Sequence, residues 1–119
     1  MDKDCTVYRT ADFIGRRWTL LILLELCKGK PSRRYSELKK SLPGITPKIL
    51  STRLKELEKE GLVKKRVDTR TFPVRCDYSL TKSGGDFIGI IKNIKKWALR
   101  WKFTNKTCSR LDCKECMVG

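Results

Sequence analysis

A chain of 119 residues has room for one domain with a small core, and its 28 Lys and Arg against 13 Asp and Glu leave a formal net charge of +15. That excess exceeds what solubility requires and points to a polyanionic partner, nucleic acid ahead of a membrane surface. The absence of histidine excludes imidazole catalysis and imidazole metal ligation.

The N-terminus MDKDCTVYRT lacks the basic-then-apolar order of a signal peptide. No apolar run reaches the roughly 18 residues of a membrane span, so the expectation is a cytoplasmic protein without a membrane partner. Six cysteines in such a chain read as thiols, metal ligands or redox groups rather than a disulfide framework.

After Cys5, Val7, Ala11 and Ile14 form a weak stripe that predicts a helix of about two turns before Gly15. Trp18 to Cys27 is apolar except for Thr19 and Glu25, and therefore predicts a central core helix with little solvent face. Gly29, Lys30 and Pro31 end it, and the basic pair Arg33-Arg34 leads into the stretch Tyr35 to Val63. There Ser36 can cap a short helix carrying Leu38 and Leu42, which Pro43-Gly44 breaks. A second helix opens at Thr46 or Pro47 and stops near Glu60, with Gly61 placed for a left-handed cap. Leu50, Leu54 and Leu57 share one face of it; Lys48, Thr52, Lys55 and Lys59 lie on the opposite face. Two helices at this spacing predict a helix-turn-helix, the second one presenting its N-terminal end to a major groove.

Beyond Gly61, LVKKRV and VRCDYSL alternate apolar with polar residues around the polar loop DTRTFP, a β-hairpin or wing. Leu62, Val67, Val74, Tyr78 and Leu80 are expected to face the core, with Lys65, Arg66, Arg70 and Arg75 toward solvent. Thr81 then caps a long helix on which Phe87, Ile90, Ile91, Ile94, Trp97, Ala98 and Trp101 recur every three or four residues. So large a stripe calls for a large partner surface, and a second copy of the same helix is the economical one. Residues 1–103 thus read as a DNA-binding and dimerisation domain, and 104–119 as a cysteine-containing tail. The fold class is mainly α with a small β-hairpin (α+β), a winged helix-turn-helix.

The strings IGRRWTLLILLEL, RRYSELKKSLPGITPKILSTRLKELEKEGLV and YSLTKSG, with a cysteine just before the first helix, resemble the HxlR-type transcriptional regulators, a branch of the MarR-like winged helix-turn-helix proteins. The likeness runs from Cys5 to about Trp101. It implies a homodimer built from N- and C-terminal helices, binding a pseudo-palindromic operator on double-stranded DNA, commonly as a repressor. It also makes Cys5 the redox-sensing candidate, against the plain alternative of an inert packed thiol. The family's usual proline after that cysteine is Thr6 here.

On the helix-turn-helix, Thr46, Pro47, Lys48, Ser51 and Thr52 are candidates for base edges and the adjoining backbone, and Arg34, Ser36, Arg53 and Lys55 for phosphates. Arg53 can equally pair with Glu56 or Glu60. Arg70, at the wing tip, is a candidate for the minor groove or its phosphates. Val7, Phe87, Ile91, Ile94, Trp97 and Trp101 are the expected dimer interface, and Cys27 and Cys76 are expected to be buried spectators.

Cys108, Cys113 and Cys116 are spaced C-x4-C-x2-C, as ligands of zinc or an iron–sulfur cluster can be. The dimer arrangement that the resemblance implies brings the N-terminal segment near the C-terminal helix and makes Cys5 the candidate fourth ligand. A basic tail whose thiols form adventitious disulfides, or one redox pair such as Cys108 with Cys113 or Cys116, is the alternative. No glycine-rich phosphate loop, carboxylate cluster or other catalytic constellation is present, so the reading is a non-enzyme. An architectural DNA-binding protein and a protein-interaction module are the rival classes. No small-molecule effector is legible.

Overall fold

The computed structural model describes residues 2–103. Five helices and three strands follow in the order α1 (Thr6–Ile14), α2 (Thr19–Cys27), β1 (Arg33–Arg34), α3 (Tyr35–Ser41), α4 (Pro47–Lys59), β2 (Val63–Asp68), β3 (Arg75–Leu80) and α5 (Lys82–Trp101). The strands form one antiparallel sheet in the order β1-β3-β2. β3 is central, pairing Val63 with Leu80 and Asp68 with Arg75 on one side and Arg33 with Tyr78 on the other.

The apolar segment from Thr19 to Cys27 becomes the helix on which everything else rests, touching α1, α3, α4, α5 and β3. Ile22, Leu23 and Leu26 are buried with Leu38 of α3 and with Leu50, Leu54 and Leu57 of α4. Each such side chain contributes roughly 1.5–3 kcal/mol of burial free energy, which fixes the angle between α3 and α4. Trp18 falls outside the helix it was expected to open. It is the N-cap residue, with φ of 78°, a left-handed conformation rare for a bulky residue. Its partly buried ring packs against the core, with the Arg17 guanidinium 5.3 Å from the ring centroid.

Glu25 is buried in α2 yet not unpaired. Lys28 Nζ lies 3.0 Å from its Oε1 and Arg33 Nη1 3.5 Å from its Oε2. Arg33 also donates to the Glu25 carbonyl and to Ser41 Oγ. One guanidinium thus ties α2, β1 and α3 together, and removing it would leave a buried carboxylate short of partners.

The C-terminal end of α4, the start of β2 and the start of α5 are fastened at one junction. Gly61 takes the left-handed cap at φ 84°. Its carbonyl accepts from Ser83 Oγ at 2.8 Å and from Thr81 Oγ1, while the Leu62 carbonyl accepts from the Thr81 N–H at 3.0 Å. Thr81 caps α5 as expected, accepting from the Gly84 N–H at 3.2 Å. A Cβ on Gly84 would stand 2.0 Å from the Leu62 carbonyl oxygen, so this close approach demands glycine.

Several expectations are corrected. The helix α3 starts at Tyr35, so Ser36 is in its first turn and not its cap; Glu37 Oε1 instead accepts the Arg34 N–H at 3.4 Å. Burial works to raise the Glu37 carboxyl, but that bond and the charges of Lys30 and Arg33 outweigh it and leave the group below its ordinary value. Leu62 and Tyr78 are buried and Leu80 packs on the core, whereas Val67 and Val74 are half-exposed, because the outer hairpin projects beyond the helices. Cys27 and Cys76 are only partly buried.

Candidate nucleic-acid interface

The start of α4 is built to stand outward. Thr46 is its N-cap, with Oγ1 accepting the Ile49 N–H at 3.2 Å, and Pro47 occupies the first turn, where no hydrogen bond is lost. Tyr35 braces the same turn from α3: its hydroxyl donates to the Pro47 carbonyl at 2.9 Å and accepts from Ser51 Oγ at 3.3 Å. Sequence reasoning missed this role of Tyr35. The residue stands where the apolar pattern begins, and only the packing of α3 on α4 brings its hydroxyl to that carbonyl.

Thr46, Pro47, Lys48, Thr52 and Lys55 are exposed and Ser51 is partly so. Neither the Lys48 nor the Lys55 ammonium group enters an ion pair among the described residues. Thr52 Oγ1 donates to the Lys48 carbonyl at 2.8 Å, which leaves its oxygen free to accept. Arg53 is otherwise engaged. Its side chain is 16% exposed, paired with Glu56, and Nε donates to the Arg17 carbonyl at 3.3 Å. Arg16 Nε reaches the same Glu56 carboxylate at 3.5 Å, so Arg53 braces the α1–α2 turn against α4.

Between α4 and the hairpin runs a groove of about 750 Å³. Arg34, Ser36, Ser51 and Lys55 line one side and Lys65, Arg75 and Tyr78 the other. Burial holds the Tyr78 phenol above its ordinary value, and Lys65 Nζ lies 6.0 Å from its ring centroid. At the wing tip, Asp68 Oδ1 accepts from the Arg70 N–H at 3.0 Å and from its Nε at 3.2 Å. These bonds, the backbone one first, hold the Asp68 carboxyl below its ordinary value. Arg70 remains 83% exposed, aimed by Asp68 but not covered.

The expected interface residues divide. Val7, Ile94, Trp97 and Trp101 are exposed, and Ile90 and Phe103 join them. Ile91 lies in the chain's own core and Phe87 packs against that core, because both fall on the flank of α5 that meets α2 and β3. Cys5 is partly buried at the N-cap of α1. Cys108, Cys113 and Cys116 lie outside the described residues. Among the described residues no three Cys, Asp or Glu side chains converge as a metal site requires, and no helix is long and apolar enough to cross a membrane.

A three-helix core, a helix-turn-helix with an outward second helix, and a basic hairpin beside it define a winged helix-turn-helix transcriptional regulator. The chain is 44% identical over 93 residues to the HTH-type transcriptional regulator YvaP of Bacillus subtilis (strain 168), covering 78% of this chain and 83% of that one. A MarR-family regulator from Porphyromonas gingivalis W83 superposes with a TM-score of 0.75 at 36% identity, over 85% of this chain and 96% of that one. The redox regulator HypR in its oxidised form does so with a TM-score of 0.72 at 30% identity, over 84% and 100%. Residues 13–106 match the HxlR-like helix-turn-helix family, and the chain belongs to that family.

Proposed function

We propose that this regulator is a cytoplasmic homodimer that binds a pseudo-palindromic operator and represses transcription, and that it is not an enzyme. The observation that carries this reading is the start of α4: capped by Thr46, braced by Tyr35, and backed by the exposed Lys48 and Lys55, which no ion pair among the described residues engages. Thr46, Pro47, Lys48, Ser51 and Thr52 approach base edges, each base-directed contact adding about 1–3 kcal/mol of discrimination. Arg34, Ser36 and Lys55 take phosphates along the groove, and Arg70 reaches the adjacent minor groove. Arg53 serves first as a brace and second as a phosphate ligand. Val7, Ile94, Trp97 and Trp101 supply the dimer face, since so much exposed aromatic and aliphatic surface on two helices calls for a partner.

The test is a mobility shift with the promoter of the protein's own gene at several salt concentrations. Affinity should fall with salt, by a log–log slope of about 0.9 for each phosphate contacted. Lys48→Ala and Arg70→Ala should both weaken binding. Salt-independent binding, or two variants that bind like the parent, would refute this surface, and equal affinity for random DNA would favour an architectural role.

A second reading is favoured by the position of Cys5 at the N-cap of α1 and by the likeness to HypR: Cys5 senses oxidants, and its oxidation alters the spacing of the two recognition helices. Metal ligation by Cys108, Cys113 and Cys116 rests on their spacing, and Cys5 as fourth ligand on the dimer arrangement that the family resemblance implies. Metal analysis of protein purified without oxygen tests it.

A further inference from the structure

The hairpin ends in an aromatic side chain with nothing to pack on. Phe72 is 101% exposed, in the loop between β2 and β3. The loop is organised without it: Arg70 bonds twice to Asp68, and Thr71 Oγ1 donates to the Pro73 carbonyl at 3.2 Å. A single solvated ring is ordinary on a protein surface; what sets this one apart is its place at the tip of the hairpin, bordering with Arg75 the groove that runs to α4.

The surroundings say which partner. Arg70 precedes the ring and Arg75 follows it, both exposed, and Lys64 and Arg66 lie exposed along β2. An apolar protein pocket suits such a ring poorly, because it would desolvate the exposed Arg70–Asp68 and Arg75–Asp77 ion pairs together with Lys64 and Arg66. It fits a duplex, where the cations take phosphates on either side of a groove and the ring meets the base edges between them.

Resting on the DNA-binding reading above, we infer that Phe72 is a wedge: it enters the minor groove beside the half-site read by α4 and pushes between two stacked base pairs, kinking the duplex. Flexible pyrimidine–purine steps deform most easily, so the wing selects them without any hydrogen bond to a base.

The experiment uses the full chain and duplexes that the wild type selects from a randomised pool, with 2-aminopurine at the flanking steps as the unstacking probe. Wild-type binding should raise 2-aminopurine fluorescence at one step beside each half-site. Phe72→Ala should abolish that rise and weaken binding roughly 5- to 150-fold for each half-site, the range of one aromatic–base stack. Its salt slope should stay at the wild-type value, because no phosphate contact is lost, whereas Arg70→Ala should lower the slope by about one for each half-site. Phe72→Leu, still apolar, should keep part of both signals. The wedge is overturned if Phe72→Ala retains affinity and fluorescence, or if the wild type produces no unstacking at any flanking step. Failure of the DNA-binding reading itself looks different: no duplex is enriched over the pool and Lys48→Ala changes nothing, which removes the wedge as well.

Discussion

The junction where α5 passes over the wing makes a prediction whose sign runs against helix propensity. Gly84 sits in the first turn of a 20-residue helix, where replacing glycine by alanine ordinarily gains about 1 kcal/mol. Here the added Cβ would lie 2.0 Å from the Leu62 carbonyl oxygen and 3.2 Å from Leu80 Cδ2. The oxygen belongs to the backbone and cannot rotate aside, and it already accepts the Thr81 N–H. Overpacking costs about 1–3 kcal/mol and a weakened hydrogen bond about 1 more, so Gly84→Ala should lose a net ~1–3 kcal/mol. At roughly 4–8 °C per kcal/mol for a domain of this size, the melting temperature should fall by about 4–24 °C. Gly85→Ala is the internal control, since a Cβ there meets nothing within 4 Å and should stabilise by up to about 1 kcal/mol. Urea and thermal unfolding, followed by circular dichroism at one fixed chain concentration, measure both. A Gly84→Ala protein as stable as the parent, or a Gly85→Ala protein destabilised as much, would refute the close-approach argument.

Three further outcomes are expected. Ile94→Glu combined with Trp97→Glu should yield a folded monomer in light scattering, because both side chains are exposed in the single chain and their charge falls on the proposed dimer face; a dimer that persists would place the interface elsewhere. Diamide should change operator affinity reversibly with dithiothreitol, and Cys5→Ser should abolish the response; a variant that still responds would move the sensor to another thiol. Tyr35→Phe should cost about 1 kcal/mol of stability through the lost bond to the Pro47 carbonyl and weaken operator binding at an unchanged salt slope. A variant with parental affinity would mean that α4 needs no brace from α3.

What the chain determines locally is legible in its amino acids alone. The leucines at 50, 54 and 57 share a face because the helix repeats every 3.6 residues, and Thr46-Pro47 and Gly61 bound that helix through their own backbone preferences. The same holds for the apolar helix after Trp18, the hairpin and the Thr81 cap. These features, with a net charge of +15, suffice for the fold class and for a nucleic-acid partner. Periodicity names a face but not what meets it, and there tertiary structure decides. Ile91 and Ile94 belong to one apolar stripe, yet the first is buried by the chain's own core and the second is left open, because α5 rests on α2 and β3 along one flank. Val67 and Val74 belong to an imperfect apolar–polar alternation, and both are half-exposed, at the end of the hairpin away from the buried Val63. Two arginines carry no strand signal; β1 exists because Arg33 and Arg34 lie alongside Tyr78 and Asp77, held there by the buried Glu25. Arg53 can pair with Glu56 by helical spacing alone, and becomes a brace only once the Arg17 carbonyl is brought to it. Each of these outcomes depends on residues distant in sequence meeting in space, which no local pattern encodes.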